Sequence, residues 1–284
     1  MSDRARFARE RLGAFKELSV VAACRAVGVP RSLYYRKARV ASESEMELAS
    51  RIRLVQARIP SYGYRRLAAA LGEPEKRVRG VMARQGLLSQ SKRKKPRTTL
   101  PTYVPPNSNL LGSSCPQLPG SVLAADVTCI PIGPRYAFLA VVLDLATREL
   151  VGWALSWKND LMLARSALLL AMHEVLLKPS WIHHSDRGAP YTSPTYRADV
   201  VSRGGAMSFA DVGSPRQNAF VESFIKTLKR EAINPTTFET FQALELQLSE
   251  YSRFYNNERL HSSLGMIAPF QYRQVLRKEH PDQN

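Results

Sequence analysis

Three acidic residues occupy positions where a carboxylate side chain is unusual. Asp126 interrupts the apolar run SVLAADVTCIPI, and Asp186 directly follows the strand-like segment WIHHS in a polar turn that contains Gly and Pro. Glu222 lies among amides, hydroxyls and lysines in SPRQNAFVESFIKTLK. Gathering three like charges costs free energy unless cations are present. A shared site for these carboxylates would therefore hold metal ions.

The kind of ligand indicates which metal such a site would bind. Carboxylate oxygens without a histidine or cysteine cage favour Mg²⁺ or Mn²⁺, which take further ligands from water and phosphate. Two such ions, about 3.5–4 Å apart, support an in-line phosphoryl transfer. Asp186 and Glu222 are separated by 35 residues, but the chain has 24 acids, so context carries more weight than spacing. We predict Asp126, Asp186 and Glu222 as catalytic residues and ligands of two Mg²⁺ ions, with Mn²⁺ as the alternative metal.

The segment around Glu222 predicts a short amphipathic helix. At 100° per residue, Asn218, Glu222, Lys226 and Lys229 fall within about 80° of one another, and the apolar side chains fill the opposite arc. Lys226 and Lys229 would then hold nucleic-acid phosphates beside the metal ions. An ordinary Glu–Lys pair at i,i+4 on a solvated helix is the alternative interpretation.

The strands and helices that must position these acids are predicted from the sequence pattern, which changes from helix-like to strand-like after residue 121. Segments 121–132, 136–146 and 149–157 have the composition of strands and are joined by short turns. A helix at 160–177, a strand at 181–184, a helix at 193–203 and a strand at 206–210 follow. This order predicts a mixed five-stranded sheet flanked by helices, an α/β fold. Residues 236–257 begin with Thr236-x-x-Glu239, a capping box that predicts one long helix.

Other acids and histidines are weaker candidates. Asp144 ends a predicted strand before a turn, where a structural aspartate is expected. His173 lies in an apolar helical segment and is predicted to be a partly buried core residue. His183 and His184 lack partners at the spacing of a zinc site.

The first hundred residues carry most of the positive charge. The net charge is +17; residues 1–100 hold 24 Lys and Arg against 8 acids, a net +16, and residues 101–284 hold 17 against 16, a net +1. Neutralising phosphates releases counterions and drives binding to nucleic acid. This segregation predicts a nucleic-acid-binding region joined to a nearly neutral one, against the alternative of a merely basic surface.

Residues 18–37 outline a helix-turn-helix, in which Gly28 ends the first helix and Pro30 opens the second. A structural helical hairpin would have a similar pattern. The predicted DNA-contact residues of the second helix are Arg31, Tyr34 and Arg36. A second basic unit of three helices follows, and its predicted contacts are Arg65, Arg66, Arg77 and Arg79. The proline-rich stretch 89–106 is predicted to be a linker whose cationic cluster either follows a phosphate backbone or is simply solvated; the cluster is Lys92, Arg93, Lys94 and Lys95.

The compartment follows from cysteines and hydropathy. Cys24, Cys115 and Cys129 form no C-x-x-C pair, which favours a reducing cytoplasm. The longest apolar run, near 163–172, is too short to span a bilayer, and residues 1–11 show no secretory signal. We predict a cytoplasmic protein that binds no membrane and associates with the nucleoid.

Several segments together resemble one family, the catalytic subunits of bacterial insertion sequence three transposases, made from the second reading frame and containing a retroviral-integrase-like core. The resemblance covers nearly the whole chain in order: LGAFKELSVVAACRAVGVPRSLYYR, IPSYGYRRLAAAL, KRVRGVMARQGL, ADVTCIP, HHSDRGAPYTS, GSPRQNAFVESFIKTLKRE and YNNERLHSSLGMIAP. It implies a ribonuclease H-like fold and a DNA transposase that cleaves the element's terminal repeats and joins them to target DNA.

Family resemblance also implies roles for particular residues. Asp126, Asp186 and Glu222 match the DDE triad, and Lys229, seven residues after Glu222, matches a basic residue that contacts the transposon end. It places three further residues around the site as DNA contacts, namely Asn218, His184 and Arg187. A motif packing near the site is implied for Tyr255, Asn256, Arg259 and His261.

The resemblance divides the chain into five parts: a helix-turn-helix module at 1–40, a second basic helical module at 45–90, a linker at 91–118, a ribonuclease H-like DDE core at 119–232 and a helical extension at 233–284. It implies double-stranded DNA as substrate, a homo-oligomer of at least two copies, and fusion to or association with the first-frame product. Leu123 and Gln217 depart from the family's usual tryptophan and aspartate, which concerns local packing. A DNA-binding regulator and a ribonuclease H-like nuclease that cuts without joining are the alternative functions.

Overall fold

The structure is a computed structural model that describes residues 19–28, 42–87, 109–111, 116, 118–211 and 215–279. Helix α1, Val20–Val27, begins where the Ser19 side chain accepts a hydrogen bond from the backbone of Ala22. It ends at Gly28, whose φ of 68° is a left-handed conformation that glycine adopts without strain. The predicted end of this helix is confirmed, and the predicted second helix with Arg31, Tyr34 and Arg36 lies outside the described residues.

Three helices form a compact unit that we call the basic helical module, residues 42–87. They are α2 (Glu43–Arg58), α3 (Tyr64–Leu71) and α4 (Glu75–Arg84). The module has its own apolar core, because its helices place one side chain per turn inward. The fully buried members include Leu48, Ile52, Tyr62, Leu67 and Val78. The three helices predicted for this region are therefore confirmed.

The central element is a five-stranded mixed sheet. Its strands are β1 (Val122–Ile132), β2 (Arg135–Asp144), β3 (Leu150–Ser156), β4 (Ile182–Ser185) and β5 (Ala206–Phe209). The strand order is β3-β2-β1-β4-β5; β1 and β3 are antiparallel to β2, while β4 runs parallel to both β1 and β5. The prediction of a mixed five-stranded sheet is confirmed.

Helices cover both faces of the sheet. One face packs against α5 (Leu161–Glu174), α6 (Ala189–Thr192) and α7 (Pro194–Ser202). The other face packs against α8 (Ala219–Leu228) and α9 (Phe241–Asn257). Successive side chains of β1 alternate between these faces, so Leu123 and Ala125 join the α5 side while Val122 and Ala124 join the α8 side. By the same alternation, Asp126 belongs to the α8 side.

The C-terminal part is helical, but its long helix starts later than predicted. After α8, residues Lys229–Ile233 form a π-helical turn, and α10 spans Pro269–Glu279. The prediction that Thr236 caps α9 is wrong, since the cap is Thr240, whose hydroxyl accepts a hydrogen bond from Ala243 N at 3.2 Å. Phe238 is buried in the core and its carbonyl accepts from Gly133 N, which holds the chain before α9 in a non-helical path.

Two weaker sequence predictions have different outcomes. Asp144 is buried, and its carboxylate accepts hydrogen bonds from the backbone of Gly120, Ala146 and Thr147, so it is a structural residue as predicted. His173 was predicted to be partly buried, and this is wrong because its side chain is 84% exposed. It lies near the last turn of α5, on the side facing away from the sheet. Within the described ranges, no helix is long and apolar enough to cross a membrane.

Candidate active site

The parallel pairing of β1 and β4 brings two of the predicted acids to neighbouring positions. Ala125 and Ser185 are partners in this pairing, and each is followed directly by an aspartate, Asp126 and Asp186. Asp126 is half-buried, whereas Asp186 is exposed just beyond the end of β4. Strand ends of an α/β sheet are where ligands commonly bind. Sheet register therefore joins two residues that are 60 positions apart in sequence.

The local backbone helps to orient both aspartates. Asp126 Oδ1 accepts a hydrogen bond from Val127 N at 2.8 Å, and Asp186 Oδ1 accepts from Gly188 N at 3.0 Å. A Cβ atom at Gly188 would lie 3.0 Å from Asp186 Oδ1, which is tighter than ordinary contact. Glycine at 188 therefore lets the turn after β4 fold back onto the carboxylate.

The third acid is carried by α8, which is attached to β1 at the same level. Asn218 Nδ2 donates to the carbonyl of Ala125 at 3.1 Å, and Asn218 is buried. Val221 and Phe224 pack against the sheet, so Glu222 lies at the edge of the buried face with a side chain that is 15% exposed. Asn218 thus has a structural contact one residue before Asp126, and it links α8 to the strand that bears the first acid.

Glu222 forms the ion pair that sequence analysis left as an alternative. Its Oε2 lies 3.0 Å from Lys226 Nζ, and the lysine side chain is 69% exposed. Ion pairs with an exposed lysine contribute little to stability, so Lys226 can easily exchange Glu222 for another anion. Lys229 is half-buried and belongs to the π-helical turn, because α8 ends at Leu228.

The three predicted acids offer the type of ligand atom that a hard divalent cation prefers. Asp126, Asp186 and Glu222 offer carboxylate oxygens, the ligands that Mg²⁺ and Mn²⁺ prefer. Among the residues that the structure describes, no three His, Cys, Asp or Glu side chains are grouped closely enough to hold a metal ion. Glu222 faces Lys226 in this conformation, so a shared ion would require its carboxylate to turn away from the lysine.

A buried hydroxyl beside the aspartates has no hydrogen-bond partner. Tyr191 is 2% exposed and its hydroxyl makes no hydrogen bond. Burial raises the pKa of Tyr191 well above its usual value, and electrostatic interactions with Tyr196, Asp126 and Asp186 add to this effect. Tyr191 therefore remains a neutral donor at any physiological pH, and sequence analysis did not single it out.

Residues expected to line the site are mostly enclosed by protein. His184 is fully buried and its Nδ1 lies 2.9 Å from Ser208 Oγ; burial lowers the pKa of His184 to about 4, so it is neutral. Arg187 has a side chain that is 9% exposed, and its Nε donates to the carbonyl of Ala210 at 2.7 Å. These contacts show how both side chains support the strand ends around Asp186.

Both departures from the family pattern are accommodated. Leu123 is fully buried on the α5 side of the sheet. Gln217 Nε2 donates to Asp211 Oδ2 at 2.8 Å, which connects the end of β5 to the turn before α8.

The four arginines predicted to contact DNA in the basic helical module have different environments. The guanidinium groups of Arg65 and Arg79 lie 5.6 and 5.7 Å from the centre of the Tyr64 ring. Arg77 pairs with Glu73 at 2.6 Å within the module. Arg66 turns toward the C-terminal part of the chain, where its Nε donates to the carbonyl of residue 260 at 2.9 Å. Lys92, Arg93, Lys94 and Lys95 lie outside the described residues.

One buried charged pair was only half anticipated. Arg259 was expected near the site, and its guanidinium binds Glu231, which sequence analysis missed. Glu231 is the last residue of the segment SPRQNAFVESFIKTLKRE. No local pattern marks it, because apart from the adjacent Arg230 its partners come from distant parts of the chain.

Comparison with known proteins identifies the class to which this fold and site belong. Two models, each described as "Integrase core domain", match residues 116–215 and 203–269. With its mixed sheet, the chain therefore has a ribonuclease H-like integrase core, and its class is that of the DDE polynucleotidyl transferases.

Relatives with known names identify the family. Transposase InsF for insertion sequence IS3A of Escherichia coli (strain K12) is 31% identical over 90% of this chain and 94% of the relative. The "Insertion element IS600 uncharacterized 31 kDa protein" of Shigella sonnei is 31% identical over 88% and 97%. The transposase for insertion sequence element IS904 of Lactococcus lactis subsp. lactis (strain IL1403) is 37% identical over 53% of this chain, which spans 60% of that relative. The chain belongs to the insertion sequence three family of DNA transposases.

A solved structure is similar at lower identity. The simian T-cell lymphotropic virus intasome, in complex with PP2A regulatory subunit B56 gamma, contains a chain with a TM-score of 0.46 and 16% identity, over 78% of this chain and 74% of that one.

Proposed function

We propose that Asp126, Asp186 and Glu222 form the catalytic triad of this transposase. The observation that carries the proposal is the convergence of three elements. The pairing of Ala125 with Ser185 places the two aspartates at adjacent positions, and the hydrogen bond from Asn218 to Ala125 ties α8 to the same strand. The segments that bear Asp186 and Glu222 thus both contact β1 at Ala125, one residue before Asp126.

Integrase core domains use a divalent metal. We infer two Mg²⁺ ions, with Mn²⁺ as a substitute, held by the oxygens of Asp126, Asp186 and Glu222. When bound, such ions supply charge neutralisation and a more acidic water. Glu222 must break its ion pair with Lys226 before its carboxylate can bind a metal ion. The ammonium group of Lys226 then pairs with a DNA phosphate instead, so that one ion pair replaces another.

The reaction requires no covalent enzyme intermediate. A water oxygen attacks the phosphorus at the element end, the P–O3′ bond breaks, and the 3′ oxygen leaves as a hydroxyl. That 3′-hydroxyl then attacks a phosphodiester of target DNA and displaces a second 3′ oxygen. The protein contributes mainly positioning and charge stabilisation to such steps. Lys226 and Lys229 hold the phosphates next to the triad, and Tyr191 offers a neutral hydroxyl donor beside the two aspartates.

Two relatives of this chain are named as transposases of insertion sequences. We propose that the substrate is double-stranded DNA carrying the element's terminal repeats, together with target DNA. The basic helical module would grip the DNA through Arg65 and Arg79, which lie over Tyr64 on its surface. We further propose a homo-oligomer of at least two copies, association with or fusion to a first-frame product, and action at the nucleoid in the cytoplasm.

The test uses purified protein, labelled duplex DNA with the repeats that flank the gene, and buffers with and without Mg²⁺. We expect Asp186→Asn to abolish nicking and joining while end binding stays within about threefold, because one metal ligand is lost and the fold is kept. Glu245→Gln, an exposed acid on α9, is the matched control and should be fully active. Strand transfer by Asp186→Asn would refute the triad. Nicking without joined products by the wild type would favour a nuclease.

A further inference from the structure

A second carboxylate on the helical segment that bears Glu222 is almost fully enclosed by protein. Glu231 lies nine residues after Glu222, in the π-helical turn Lys229–Ile233, and its side chain is 5% exposed. Its two oxygens accept five hydrogen bonds at 2.7–3.1 Å. Two come from Arg259, in a bidentate arrangement that fixes direction as well as distance. Burial opposes ionisation, but Arg259 lowers the pKa of Glu231 to about 2.

The adjacent Arg230 donates to Glu231 at 3.1 Å, and the other donors come from two distant regions of the chain. Ser61 Oγ, at 2.8 Å, belongs to the turn between α2 and α3 of the basic helical module. Tyr251 Oη, at 2.9 Å, comes from α9, and Arg259 follows the end of α9. Glu231 is therefore the point at which the basic helical module, the catalytic segment and the C-terminal extension meet.

Residue 260 reinforces the same contact. Leu260 N donates to the hydroxyl of Tyr62 at 2.8 Å, and Leu260 O accepts from Arg66 Nε at 2.9 Å. Its side chain packs against the apolar core of the module. We call the contact between residues 58–66, Glu231 and residues 258–261 the module junction.

The module junction is also firmly connected to the active site. Phe224, two residues after Glu222, makes an edge-to-face contact with Tyr255, with ring centroids 4.7 Å apart. Tyr255 in turn makes an edge-to-face contact with His261 at 5.1 Å. A displacement at the junction would therefore be transmitted through packed rings to the helix that bears Glu222.

Stability alone is a weak reason for such a pair. A buried ion pair is often no more stabilising than apolar side chains of the same volume, and its best-attested use is to fix one arrangement. The basic helical module already has its own core and internal ion pairs, such as Arg51 with Glu73 at 3.0 Å. What Glu231 and Arg259 add is a defined relation between the module and the sheet.

We propose that Glu231 and Arg259 are positioning residues that set which phosphodiester of bound DNA enters the active site. This inference rests on the proposed function. DNA held by the basic helical module is a fixed distance from Glu222 only while the module junction is closed. The pair therefore determines the position of the nick and not the affinity for the DNA end.

The first experiment maps nicks at single-nucleotide resolution on end-labelled duplex DNA carrying the terminal repeat, with Mg²⁺. We expect wild-type protein to nick at one principal position. Glu231→Gln removes the charge, and Ser61→Ala removes only the module's hydrogen bond. Both should spread nicks over neighbouring phosphodiesters, and Glu231→Gln should lower the rate at the wild-type position by about 100-fold, the cost of a displacement near 1 Å. Filter binding to the same DNA should remain within about threefold.

Glu73→Gln is the matched control, since it weakens ion pairs inside the module without touching the module junction. It should keep a single nick position. If Glu231→Gln and Ser61→Ala also keep one position and only lower the yield, the positioning role is refuted and the pair is merely structural.

The second experiment needs no DNA cleavage, so its failure is separate from failure of the proposed function. Spin labels are placed at the exposed Cys129 of β1 and at Glu47→Cys on α2, with Cys24→Ala and Cys115→Ser. We expect a narrow distance distribution between the labels, broadened by Glu231→Gln and by Ser61→Ala but not by Glu73→Gln. Equal widths in all variants would overturn the proposal, even if the wild type never nicks DNA.

Discussion

Glu222 and Glu231 belong to one helical segment, yet their surroundings are opposite. Glu222 lies at the edge of the buried face and pairs with an exposed lysine, Lys226. Glu231 is enclosed and accepts hydrogen bonds from residues of three regions. A carboxylate whose partner is exposed to solvent can exchange that partner for a ligand, whereas one whose lone pairs are all used can only hold structure together. The difference agrees with the roles we propose, a metal ligand for Glu222 and a positioning residue for Glu231.

The largest effect on stability is expected from removing Arg259, the main partner of the enclosed Glu231. Arg259→Met removes two of the five hydrogen bonds to Glu231 and leaves the exposed Arg230, at 3.1 Å, as its ion-pair partner, so we expect a loss of about 3–4 kcal/mol in the free energy of unfolding. Glu222→Gln should change the free energy of unfolding by no more than about 0.5 kcal/mol, because Glu222 pairs with an exposed lysine. Urea denaturation followed by circular dichroism measures both.

Arg253→Met, at an exposed position on α9, controls for the loss of an arginine from the same region. If Arg259→Met were as mild as this control, Glu231 would not depend on its partner and the contrast with Glu222 would disappear.

A smaller effect should appear in the pH dependence. The pKa of Glu231 is lowered from 4.5 to about 2, so its contribution to stability is complete above pH 4.5 and is lost as pH falls through 2. We expect the stability difference between wild type and Glu231→Gln to shrink by about 3 kcal/mol over that window. Denaturation curves between pH 6 and pH 2.5 test this for a protein that remains folded, and a difference independent of pH would contradict it.

The smallest effect is expected at the exposed partner of Glu222. Lys226→Met should change the free energy of unfolding by less than about 0.5 kcal/mol, because exposed i,i+4 pairs contribute little. If Lys226 contacts a phosphate, the slope of log K against log salt should fall by about 1 for DNA binding. Lys158→Met, another exposed lysine, is the control and should leave the slope unchanged. An unchanged slope for Lys226→Met would show that Lys226 contacts no phosphate and only pairs with Glu222.

Sequence reasoning succeeded where the signal is local. The strands around Asp126 and Asp186 were predicted from alternation and turn residues, and the structure has them where expected. The helix that bears Glu222 was predicted from its apolar stripe, and α8 buries that stripe against the sheet. Asp144 was predicted to be structural, and its carboxylate caps a turn.

The same reasoning failed where a distant contact overrides a local preference. Thr236 and Glu239 have the spacing of a capping box, but the burial of Phe238 holds that segment out of the helix and moves the cap to Thr240. His173 lies in an apolar sequence, yet its position on α5 faces solvent. One turn of helix contains both buried and exposed positions, so composition alone does not assign a side chain to either.

The order of side chains along this chain was enough to define its strands, its main helices and the three acids of the candidate triad. Only the folded chain decided which of its glutamates is available and which is enclosed. The periods of helices and strands can be recognised from neighbouring residues. A buried charge, in contrast, is stable only beside partners that tertiary contacts supply. Arg230 is adjacent to Glu231 in sequence, but the other partners of this carboxylate, Ser61, Tyr251 and Arg259, are connected to it by no local pattern.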